Sequence, residues 1–190
     1  YIDQKRDAEA LAKKLGYGKV SQEKLAVAQK IRNFVIGGGF MFAMCSATDS
    51  FDIALSAEGV DICEPMFDGD ASEPNYQSKI DYNKTFAFKN YTLDRNPNRY
   101  EFSDIDMTEK RKIPMEKDYF TLMEYSAKWD VIPSMLCQNQ TQLIKGFMGQ
   151  TTSFERDLIK SNVLVLGQNE INGEARYIHG QVGKGFFTFF

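Results

Sequence analysis

The chain has 190 residues and a formal net charge of −3, enough length for one α/β domain with a proper core. Its charge is mild and shows no basic stripe, which argues against nucleic acid as a partner. No uninterrupted apolar run approaches the ~18 residues that a membrane helix needs, so no membrane span is expected.

In chain order, residues 3–15 carry Ala8, Ala10, Leu11 and Leu15 among charged side chains and stop at Gly16, the pattern of an amphipathic helix. Ser21 is a candidate N-cap with Glu23 in the first turn. From there Leu25, Ala28, Ile31 and Val35 recur at three- and four-residue steps, predicting a second helix with one apolar face. Gly37, Gly38 and Gly39 break it, and residues 40–44 follow as a continuous apolar run, the mark of a strand covered on both faces. Residues 46–57 read as the next helix, with Phe51, Ile53, Ala54 and Leu55 inward.

From Glu58 the composition turns acidic and loop-forming, with Asp61, Glu64, Pro65, Asp68, Gly69 and Asp70. Short alternating runs at 85–88 and 91–93 suggest an antiparallel excursion. Residues 104–118 are charged and read as a surface loop. The stretch 59–130 is expected to be a β-rich insertion, a cap that shapes access to a site. Further apolar runs lie at 132–136, 143–147 and 163–166. Two strands then flank Gly183-Lys184-Gly185 as a tight hairpin, the second running to Phe190.

There is no initiator methionine and no charged-then-apolar leader, and the last residues are an apolar strand. The expectation is a single domain over 1–190 that is incomplete at both ends, lacks its first strands and partners the remainder of its own polypeptide. The compartment stays open, because Cys45, Cys63 and Cys137 are an odd number without CxxC spacing, neither a disulfide framework nor a zinc motif.

The stretch with chemistry in it is the strand, turn and helix around Cys45. A nucleophile on such an elbow is lifted out of the sheet over backbone N–H groups, at the end of a helix whose dipole favours a thiolate. A free cysteine is also among the most buried residue types, so an inert Cys45 is the competing reading. Ser46, Thr48 and Asp49 cap the following helix or, at the strand's C-terminal end, contact a ligand. His179 is the only histidine and sits inside a strand, where a structural or surface role is favoured. The acidic group Asp61, Glu64, Asp68 and Asp70 has oxygen ligands for a hard cation but not the EF-hand spacing, which favours a solvated loop. Gly37–Gly39 is not a G-x-G-x-x-G fingerprint and precedes its strand, so a dinucleotide is rejected and no cofactor is expected.

Taken together, the three glycines, the strand, Cys45 on its elbow, the distant 163–166 strand and the Gly183-Lys184-Gly185 hairpin resemble the class I glutamine amidotransferase-like superfamily, most closely its ThuA-like branch. They are also similar to a bacterial family commonly labelled asparagine synthetase B. The resemblance covers about residues 20–58 and 132–190. It implies a flavodoxin-like, mostly parallel α/β sheet with helices on both faces and an inserted β-rich segment. It also implies Cys45 as the nucleophile that attacks a side-chain amide of a small-molecule substrate, and the Ser46 N–H as one arm of the oxyanion hole. Thr48 and Asp49 would bind substrate, and the general base would follow Phe190. The family's elbow has glycines two before and two after the cysteine, where this chain has Ala43 and Ala47, and ThuA-like relatives lack the cysteine. Three readings follow: a cysteine-dependent hydrolase or transferase, a non-catalytic binding or structural domain, and a ThuA-like sugar-related protein.

Overall fold

A computed structural model describes all residues except 1, 97, 100, 108–113, 124–140 and 147–148. The run at 132–136 and Cys137 lie outside the described residues, as does Phe147. Among the described residues, four α-helices, α1 (Ile2–Lys14), α2 (Val20–Ile36), α3 (Ala47–Ser56) and the short α4 (Pro65–Asp68), accompany six strands. The strands are β1 (Phe40–Ala43), β2 (Tyr119–Leu122), β3 (Leu143–Lys145), β4 (Leu164–Gln168), β5 (Ala175–Val182) and β6 (Gly185–Phe189).

The first three helices fall where periodicity places them. The start of α2 differs: the chain becomes helical at Val20, and Ser21 lies inside the helix. The Gln22 side chain takes over the cap by accepting from the Gly18 and Lys19 N–H groups at 3.0 and 3.2 Å.

The six strands form one curled sheet in the order β1-β6-β5-β4-β2-β3. Among the described strands β1–β6 is the one parallel pair; the other neighbours are antiparallel. The expected mostly parallel, flavodoxin-like sheet with helices on both faces is therefore overturned. The physical reason lies in the connections. A parallel neighbour needs a crossover of a dozen or more residues, whereas β5 turns into β6 through Gly183 and Lys184, and β4 reaches β5 through residues 169–174. Apolar runs such as 163–166 mark buried strands without marking their direction.

Alternation across the β1–β6–β5 register sorts the two faces. Ala43, Phe187, Phe189 and Ile178 point into the main core with Val35 of α2 and Leu55 of α3. On the other face Thr188 and His179 are covered, but Phe40 and Phe42 at the β1 edge are 48% and 47% exposed. The hairpin is where expected, and its glycines are required by geometry. Gly183 has φ +61°, and a Cβ on Gly185 would stand 2.0 Å from the Val35 carbonyl oxygen. That close approach lets the Lys184 N–H donate to the Ile36 carbonyl at the end of α2, at 3.0 Å.

Much of the stretch 59–130 enters the same core. Phe86, Ala87, Phe88, Tyr91, Leu93 and Ile105 are buried with the sheet residues, and β2 pairs with β4 inside the sheet. The runs at 85–88 and 91–93 make isolated bridges, Phe88 to Ile159 and Leu93 to Ser103, instead of strands. What holds them is Asp52 on α3. Its carboxylate is fully buried and accepts from three successive backbone N–H groups, Phe86 at 2.7 Å, Ala87 at 2.8 Å and Phe88 at 2.9 Å. Burial pushes this carboxyl up to about 6 against the pull of those three donors and of Lys160.

The expected surface loop at 104–118 is also partly internal. Ile105, Asp106 and Asp118 are 0–1% exposed. Asp118 receives the Arg176 guanidinium in a two-pronged pair, Nη1–Oδ1 at 3.0 Å and Nη2–Oδ2 at 3.1 Å. Glu174 stands 3.7 Å from the same Nη1, and the Phe120 ring lies 5.8 Å from the guanidinium carbon. Gly146 is the floor of this arrangement, since a Cβ there would fall 2.5 Å from Asp118 Oδ2 and 2.6 Å from Arg176 Nη2.

Candidate functional site

The junction of β1 and α3 is built by continuing the β1–β6 ladder one step past the strands. The Phe190 N–H donates to the Ala43 carbonyl and the Cys45 N–H donates to the Phe190 carbonyl, both at 2.9 Å. The chain must then turn from extended to helical within a residue. It does so at Cys45, which takes φ +58°, a left-handed conformation that costs a non-glycine residue about 1–2 kcal/mol. Ser46 is already helical (φ −58°, ψ −11°). Thr48 holds the turn by donating twice to the Cys45 carbonyl, from its N–H at 3.0 Å and its hydroxyl at 2.8 Å. The Ala47 N–H goes to the Met44 carbonyl at 3.2 Å. Alanine is tolerated at both flanking places: Ala43 fits the core and Ala47 faces solvent. Cys45 itself is a free, half-buried thiol.

No family model, curated protein or solved structure matches the chain.

Thr48 and Asp49 are fully buried. Asp49 turns away from the elbow into a polar node that sequence patterning does not reveal. Its Oδ1 accepts from the Ser50 N–H at 2.8 Å and from the Thr151 hydroxyl at 3.2 Å. Thr151 also meets Asp106, its N–H at 2.7 Å and its hydroxyl at 3.2 Å from Oδ2. The Thr151 backbone sits at φ +52°, a strained position for a β-branched residue. Among the described residues, Asp49 Oδ2, Ser153 Oγ and Gln150 Nε2 are buried without hydrogen-bond partners. Burial first, and the Asp106 carboxylate second, push the Asp49 carboxyl up to about 8.

A pH dependence of stability follows. An unfolded Asp titrates near 3.8, so between about pH 4 and pH 8 the folded chain holds a proton that the unfolded chain has released. Stability is therefore full below about pH 4 and is lost progressively as the pH rises to about 8. Asp49→Asn is expected to flatten this slope and to raise stability at pH 8. Urea denaturation of both proteins at pH 5 and pH 8 measures the difference.

His179 does not reach the elbow. It lies on β5, two strands in from β1, at roughly 10 Å for strands ~4.8 Å apart. Its Nδ1 is 2.9 Å from the Thr188 hydroxyl and its ring stacks on Phe186. Burial lowers its pKa, which favours the neutral imidazole of a structural histidine.

The acidic group divides in two. Glu64 pairs with Arg95 at 3.2 Å, and Arg95 lies over the Tyr76 ring at 3.8 Å. Asp61, Asp68 and Asp70 converge on Lys19, the residue before α2. Cys63 stands beside them, and burial first, with those carboxylates second, pushes its thiol up to about 11.

Proposed function

We propose that the protein is a cysteine-dependent acyl-transfer enzyme of the glutamine amidotransferase-like kind, with Cys45 as the nucleophile and a side-chain carboxamide as the substrate group. The observation that carries the reading is the left-handed backbone of Cys45 between β1 and α3. A strained turn of this sort at a strand-to-helix junction is how nucleophile elbows expose their reacting atom. The double hydrogen bond from Thr48 to the Cys45 carbonyl keeps the strain in place.

In this mechanism the thiolate attacks the amide carbon, and the Ser46 N–H donates to the oxyanion that forms. Collapse breaks the C–N bond and expels ammonia, which carries off the proton that left the thiol. Water then hydrolyses the thioester to the carboxylic acid and restores the thiol. His179 takes no part, so the proton acceptor is a group other than the chain's only histidine. Thr48 and Asp49 act by fixing the turn and the first residues of α3.

The second reading, a binding domain with an inert cysteine, is favoured by the position of His179 against Thr188. One experiment separates the two. A chloromethyl ketone analogue of glutamine is added at neutral pH, and the modified thiols are identified by peptide mass spectrometry. The expected result is alkylation of Cys45 at least about tenfold faster than of Cys63, whose thiol is mostly protonated there. Excess glutamine should slow it, and Cys45→Ser should abolish it. Equal rates at the two thiols, or an unmodified Cys45, would sink the covalent mechanism and leave the binding domain.

A further inference from the structure

The acidic stretch after α3 holds a ligand set that the elbow does not use. Asp61, Cys63 and Asp68 bring a carboxylate oxygen, a thiol sulfur and a second carboxylate oxygen within 4.8 Å of one another. The loop is shaped to do this. The Cys63 N–H donates to Asp61 Oδ1 at 2.9 Å, and Gly69 ends α4 at φ +93°, returning the chain so that Asp70 faces the same point.

Lys19 supplies the positive charge there. Its ammonium donates to Asp61 Oδ2 at 3.3 Å and to Asp70. Asp68 is served differently. Its side chain is only 7% exposed, yet among the described residues neither of its oxygens receives a hydrogen bond, and the Lys19 nitrogen stands 3.8 Å off. Carboxylate oxygens buried without donors are costly. A directly bound cation would satisfy them, and the neighbouring sulfur selects which cation. Calcium and magnesium prefer six or more oxygen ligands, whereas a thiolate beside two carboxylates suits zinc or cobalt.

We propose that Asp61, Cys63 and Asp68 form a binding site for a thiophilic divalent cation of the zinc type, with Lys19 as its internal competitor. On binding, the Cys63 S–H bond breaks, its proton goes to solvent and a sulfur–metal bond forms, with no change of oxidation state. The Lys19 ammonium moves out, and the metal then ties the two ends of the 61–68 segment together.

Cobalt(II) is the probe, because its thiolate complexes show a near-ultraviolet charge-transfer band. The full chain carrying Cys45→Ser and Cys137→Ser is titrated under a non-thiol reductant, with circular dichroism to confirm folding. The band is expected to saturate at one equivalent and to be absent when Cys63 is also replaced by serine. Asp68→Asn should weaken cobalt binding by about tenfold or more, and Lys19→Met should strengthen it by a similar factor, since a like charge is removed from the site. No band in the parent, a band that survives Cys63→Ser, or a Lys19→Met chain that binds no more tightly would each overturn the proposal.

Discussion

Asp52→Ala is expected to destabilise the protein by about 3–5 kcal/mol, one of the two largest single effects in the chain. The carboxylate is fully buried and accepts from the N–H groups of Phe86, Ala87 and Phe88. Alanine leaves three buried donors without acceptors, each at about 1–3 kcal/mol before relaxation. Removing the buried carboxyl returns part of its desolvation cost, which is visible in the rise of that group to about 6. The donors outweigh it, because three amides lose their partner where one carboxyl gains relief. Asp52→Asn is expected to fall between wild type and alanine, since an amide offers a single accepting oxygen. Urea denaturation at pH 7 orders the three. An alanine variant within 1 kcal/mol of wild type (on the order of experimental scatter) would mean that Asp52 does not hold the 86–88 segment.

The second large effect is at Arg176. Replacing it with methionine leaves Asp118 buried beside Glu174 without their shared cation, and the expected loss is again about 3–5 kcal/mol. Methionine keeps most of the contact with the Phe120 ring, so the loss is electrostatic and not a packing defect. The double variant Arg176→Met with Asp118→Leu should recover much of the stability, because the buried carboxylate leaves with its partner. A double variant no better than the single one would show that shape, not charge, ties β5 to the start of β2.

The parts of this fold that were legible in the sequence are those set by neighbours in the chain. The apolar periodicity of α1, α2 and α3 survives into the structure, as does the turn at Gly183-Lys184-Gly185. The order of glycines, strand, cysteine and helix around Cys45 predicts a junction there, and the structure has one. What local patterning hides is decided by distant partners. Asp106 and Asp118 belong to the 104–118 stretch that reads as a surface loop, and Asp52 to a helix, yet each is buried. Their partners are on other elements: residues 86–88 for Asp52, Thr151 for Asp106 and Arg176 for Asp118. Strand direction was hidden for a related reason, because an apolar run looks the same whichever way its neighbour points. At the candidate site, Cys45 was visible through its position, but the inward turn of Asp49 toward Thr151 depends on a residue far along the chain.

The parallel pairing of β1 with β6 also bears on when the elbow comes into being. Residues 40–43 have a described sheet neighbour on one side, at residues 186–189, and Cys45 is tied to that neighbour through Phe190. A contact so remote in sequence forms late, after the loop between its ends has been closed by other structure. On a ribosome, the segment with the cysteine emerges before residues 186–190, and its turn can close only after they have followed it. Throughout that interval Cys45 is an ordinary thiol on an unpaired apolar segment, open to oxidants and to other strands. The chemistry proposed for it therefore begins only when β6 is in place.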